Sequence, residues 1–127
     1  MNTLNKTKTI YQSTVTALGP DVDMFMEEKM LIIFNETAPK DLRDIAVIHQ
    51  AAPLEGTIEA GDVLAFGDQT YTVTFVGDKV NETVGDLGHC TIAFNGEDHA
   101  ELPGTLCVES KEMPELSVPM QLAFMKR

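Results

Sequence analysis

Short runs of apolar, β-branched and aromatic residues recur along this 127-residue chain, and glycine, proline or an Asn-Gly pair breaks them every eight to twelve residues. Most of these runs are too short for a multi-turn amphipathic helix, but each suffices for one strand of a sheet. The first covers residues 8–18 and stops at Gly19-Pro20. The next, residues 29–35, contains the continuous apolar stretch Met30-Leu31-Ile32-Ile33-Phe34. Val47-Ile48-His49 follows, then residues 63–66, 71–76, 89–94, 105–108 and 120–124. Gly67 to Gln69 reads as a hairpin loop between two of them. Residues 21–28, acidic with scattered methionines, read as a loop or short turn, and residues 79–87 as a helical turn. The one helix start is Thr37-Ala38-Pro39-Lys40-Asp41, a threonine cap followed by proline and an acidic first turn, which predicts two to three turns ending near Ala46. Strands at this spacing with one short helix predict a mainly β fold: a closed or partly open barrel of seven to eight strands. Residues 1–127 lie at a common single-domain size and are expected to form one domain.

Charge removes several classes of partner. Twenty acidic residues against nine basic ones give a formal net charge of −11, whereas nucleic acid and anionic membranes are held by clustered lysine and arginine. An acidic surface steers basic protein partners, or serves solubility alone. No apolar run approaches the ~18 residues of a membrane span, and residues 1–10 lack a secretory apolar core, so a cytoplasmic protein without membrane insertion is expected. Cys90 and Cys107 each fall inside a strand-like run and read as buried free thiols. The sequons at Asn35 and Asn81 carry no weight without secretion.

Chemistry is confined to few positions. Nucleophile elbows, phosphate loops and dinucleotide-binding turns are absent, and no Cys or His pair has metal-ligand spacing, so neither cofactor nor metal is expected. Three histidines remain. His49 ends an apolar strand where a loop begins, so its backbone is held while its ring is expected to face solvent. A phosphoryl-accepting imidazole needs one free ring nitrogen, with the other donating to a neighbour that fixes the tautomer. His89 follows Gly88 at the beginning of a strand and would support His49 if the fold brought the two rings together. His99 lies in the polar turn Gly96-Glu97-Asp98-His99 and reads as solvated.

Six ordered blocks carry a family resemblance: Ile10-Tyr11-Gln12-Ser13-Thr14-Val15-Thr16, Met30-Leu31-Ile32-Ile33-Phe34, Ala38-Pro39-Lys40-Asp41-Leu42, Ile48-His49, Asp86-Leu87-Gly88-His89-Cys90-Thr91-Ile92-Ala93-Phe94 and Leu102-Pro103-Gly104-Thr105. From about residue 9 onward the chain resembles the enzyme IIA component of the glucitol/sorbitol phosphotransferase system. The resemblance implies a phosphocarrier that takes a phosphoryl group from HPr and passes it to the IIB domain of a sorbitol permease with IIB and IIC components. It implies His49 as the accepting residue and gives His89 a counterpart in the family. Familiar members continue with Cys-His-Gly after the active histidine, whereas this chain has Gln50-Ala51-Ala52 and so lacks a second imidazole two residues on. The competing reading is a non-catalytic β-barrel module that binds a small ligand or a regulatory protein, with His49 as a packing residue.

Overall fold

The computed structural model describes residues 8–127; residues 1–7, most of the segment in which a secretory signal was sought, lie outside them. Eight strands close into a barrel. In chain order they are β1 (Lys8–Leu18), β2 (Met30–Asn35), β3 (Val47–His49), β4 (Val63–Phe66), β5 (Gln69–Val76), β6 (Cys90–Ala93), β7 (Thr105–Val108) and β8 (Met120–Lys126). Around the barrel the order is β1-β3-β2-β6-β7-β5-β4-β8. All neighbours are antiparallel except β2–β3 and β6–β7. Closure removes the exposed edges that an open sheet would present.

The long continuous run in β2 now has a cause. Leu31 and Ile33 point into the barrel with Val47, Ile92 and Phe124, while Phe34 joins Ala38, Ala46 and Ile48 in a second cluster outside the wall. Both faces of the strand are buried, so the usual alternation of apolar and polar residues is lost. In β3 the same arrangement sends Val47 inward and Ile48 outward. Each fully buried side chain of this kind contributes about 1.5–3 kcal/mol relative to exposure.

The barrel is the expected architecture, but among the described residues three short helices stand where one helix and a helical turn were predicted: α1 (Val22–Glu27), α2 (Lys40–Arg43) and α3 (Val80–Leu87), the last on the predicted turn. Residues 22–27 are helical because Val22 and Met26, four positions apart, pack on the core from one face. The predicted helix at Thr37 shrinks to one turn capped by Pro39, since Thr37 instead donates its amide and hydroxyl to the Asn35 side chain at 3.0 and 2.6 Å. At its other end Ala46 is drawn to the residue just past β1, its carbonyl accepting from the Gly19 amide at 3.0 Å. The hairpin between β4 and β5 forms as read, with Phe66 opposite Gln69 and Gly67 at φ 63° in the left-handed region.

Candidate functional site

His49 is the last residue of β3, paired with Val15 of β1 and Asn35 of β2. Alternation along β3 turns its ring into the barrel, as it does Val47. Across from it, Tyr11, Ser13 and Val15 occupy alternate positions of β1 and are all buried. The result is a cluster of buried polar groups beside the apolar core.

Three oxygens surround the imidazole. Nδ1 lies 3.0 Å from Ser13 Oγ and 3.0 Å from the Gln50 carbonyl, and Nε2 lies 2.8 Å from the Gly88 carbonyl. Ser13 in turn donates its hydroxyl to the Gln50 carbonyl at 2.6 Å. The Tyr11 ring meets the imidazole edge-on at 6.0 Å. Burial holds the His49 pKa below its ordinary value, while the Gly88 and Gln50 carbonyls and the charge of Glu36 pull it back part of the way. A ring kept neutral has one proton for two acceptor-lined nitrogens, so either tautomer leaves one side wanting.

The ring does not face solvent as the sequence suggests; His49 is 0% exposed. Its cover is the end of α3. Gly88 caps that helix in the left-handed conformation, φ 59°, with its amide bonded to the Val84 carbonyl at 2.9 Å and its own carbonyl pointing at Nε2. A Cβ at residue 88 would stand 2.6 Å from His49 Cε1, so only glycine fits. The start and middle of α3 are well anchored, with Val80 and Val84 buried and the Asn81 side chain bonded in both directions to the Ile58 backbone at 2.7 and 3.1 Å. Gly85, Asp86 and Leu87 in its second half are exposed.

His89 is not brought against the His49 ring. Its own ring stacks on Phe34 with centroids 4.4 Å apart, outside the barrel wall, and its Nδ1 donates to the Ile33 carbonyl at 3.1 Å. It touches the site only through the peptide it shares with Gly88. His99 is solvent-facing beside Asp98 and Glu97, as its turn suggests. Both cysteines are free and buried, and burial pushes the Cys90 thiol up to about 12. Among the described residues no group of His, Cys, Asp and Glu is placed to hold a metal ion, and no helix is long and apolar enough to cross a membrane.

Sequence reasoning missed the groups around His49: the Ser13 hydroxyl, the edge-on Tyr11 ring and the Gln50 and Gly88 carbonyls. The first two carried a signal, as polar-tipped residues at inward-facing alternate positions of a strand. The carbonyls carried none.

Comparison with known proteins is consistent over nearly the whole chain. The family described as PTS system glucitol/sorbitol-specific IIA component matches residues 10–123. The glucitol/sorbitol-specific EIIA components of Shigella flexneri and Escherichia coli K12 are each 38% identical over 115 residues, covering 91% of this chain and 94% of theirs. A crystal structure of a PTS system IIA component from Enterococcus faecalis V583 superposes with a TM-score of 0.76 at 28% identity, covering 87% of this chain and 96% of the other.

Proposed function

The chain belongs to the glucitol/sorbitol-specific IIA component family of the phosphotransferase system, and from that premise we propose that it is a cytoplasmic phosphocarrier in which His49 takes a phosphoryl group from phospho-HPr and passes it to the IIB domain of a sorbitol permease. The observation that carries the assignment is the double restraint on Nδ1 by Ser13 Oγ and the Gln50 carbonyl, both at 3.0 Å. A proton placed on Nδ1 has two acceptors waiting, and that tautomer leaves the Nε2 lone pair free for attack.

In the closed structure the Gly88 carbonyl occupies the approach to Nε2. Transfer therefore requires the end of α3 after Val84 to swing away, with Val80, Asn81 and Val84 holding the rest in place. Once uncovered, the ring exchanges its proton with solvent and settles as Nδ1–H. The Nε2 lone pair then forms the new N–P bond in line as the donor's N–P bond breaks, and the released electron pair returns to the donor imidazole. Histidine-to-histidine transfer is nearly balanced in free energy, so alignment and charge compensation are what the protein must supply. The same geometry run backwards delivers the group to the IIB domain.

A specific observation favours a second acceptor. His89 is partly exposed, its Nδ1 is fixed on the Ile33 carbonyl, and its Nε2 has no hydrogen-bond partner among the described residues. Incubation with phospho-HPr separates the two. Gain of one acid-labile phosphoryl group that is lost in His49→Gln and retained in His89→Gln supports the proposal. The reverse pattern moves the acceptor to His89, and no gain in mass leaves the non-catalytic binding module.

A further inference from the structure

We propose that the Tyr11 hydroxyl is a catalytic group that donates a hydrogen bond to the phosphoryl oxygens on His49 Nε2. The inference rests on His49 being the acceptor and adds the residue that recognises the transferred group. Among the described residues, Tyr11 carries the one buried side-chain oxygen or nitrogen without a hydrogen-bond partner. The residue is 1% exposed, so solvent does not satisfy the phenol. Leaving a buried hydroxyl unpaired is unfavourable, and a phenylalanine of the same shape would avoid it.

Its position explains the lapse. A point one Cβ bond from the Gly88 Cα lies 2.9 Å from the Tyr11 hydroxyl oxygen and 3.0 Å from His49 Nε2. The phenol and the nucleophilic nitrogen thus converge on one small volume, which the Gly88 backbone borders in the closed state. Gly88 offers no acceptor there, because its carbonyl is directed at Nε2. When the end of α3 withdraws, the vacated volume opens between a lone pair and an idle O–H donor, where a phosphoryl group bonded to Nε2 must project its oxygens. The hydroxyl is firmly protonated: burial, and secondarily the neighbouring Cys90, push its pKa up to about 12. It therefore acts as a neutral donor and takes no proton in the transfer. Donors aimed at developing charge in a site shielded from water are a major source of rate enhancement.

The chain has two tyrosines, and Tyr71 is an internal control because its hydroxyl is already bonded to the Glu112 carbonyl at 2.7 Å. Two measurements test the proposal on the intact protein. Wild type and Tyr11→Phe are compared in the rate of phosphorylation by phospho-HPr and in thermal midpoint. The expected result is a rate at least about tenfold lower with a midpoint unchanged or higher, because the unpaired hydroxyl is gone. A variant that accepts phosphoryl as fast as wild type overturns the role of Tyr11 while leaving His49 in place. Should Tyr11→Phe fail to fold, wild type carrying tyrosine labelled with 13C at Cζ decides. The Tyr11 resonance moves on phosphorylation and that of Tyr71 stays if the hydroxyl binds the group; two unmoved resonances on a phosphorylated protein overturn it. Wild type that takes no phosphoryl group on His49 defeats the parent assignment instead, and this one with it.

Discussion

At the scale of single residues, the site depends on a buried imidazole kept neutral by its surroundings. Burial depresses the His49 pKa below the ordinary 6.5, so as pH falls below that value the unfolded chain binds a proton that the folded chain refuses. The contribution of His49 to stability is accordingly intact above pH 6.5, declines below it, and levels off once the folded pKa is passed. Denaturant titrations between pH 7 and pH 5 are expected to show this decline in wild type and a shallower one in His49→Gln. Gly88 is constrained as tightly. Gly88→Ala forces a side chain into the left-handed region and against the imidazole, and is expected to cost about 2–4 kcal/mol in the same titration. An unchanged midpoint would show that the end of α3 already sits away from His49 in solution. His49 stood out in the sequence by its place where an apolar run meets a loop and by the family resemblance. Its burial was not legible there, since the covering carbonyl belongs to a residue 39 positions away.

At the scale of elements, α3 buries Val80 and Val84 and exposes Gly85, Asp86 and Leu87, and the proposed access to His49 uses this asymmetry. Amide exchange should report it: the Gly88 and His89 amides, bonded back to Val84 and Thr83, are expected to exchange faster than those of β6 immediately after them. Protection as strong as that of β6 would mean that the cover does not open locally. His89 follows the covering Gly88 directly and is held by its stacking on Phe34. His89→Gln is expected to slow transfer several-fold while still permitting phosphorylation of His49, and full-speed transfer would remove His89 from the process. The β1, β3, β4 and β7 runs could be read directly from their composition. Helix α3 falls on the helical turn read at residues 79–87, but α1 could not be read, since it follows from Val22 and Met26 meeting a core that exists only after closure, and α2 is shorter than read because Ala46 is bound to Gly19.

At the scale of the whole molecule, a net charge of −11 surrounds a closed barrel whose entrance helix exposes Glu82 and Asp86. Association with a basic partner should be accelerated by this field and screened by salt. The second-order rate of phosphorylation by phospho-HPr is therefore expected to fall by about tenfold or more between 20 and 300 mM salt, whereas His99→Gln, on a remote exposed turn, should leave it unchanged. A salt-independent rate would show that the acidic surface serves solubility alone. Net charge was plain from the sequence, but the placement of Glu82 and Asp86 on the helix that covers His49 became visible only in the fold.

The most direct measurement is phosphorus–nitrogen coupling in protein labelled with 15N-histidine and phosphorylated by phospho-HPr. One phosphoryl group coupled to Nε2 of His49 is the predicted result. Coupling to His89, or to Nδ1 of His49 in place of Nε2, would contradict it.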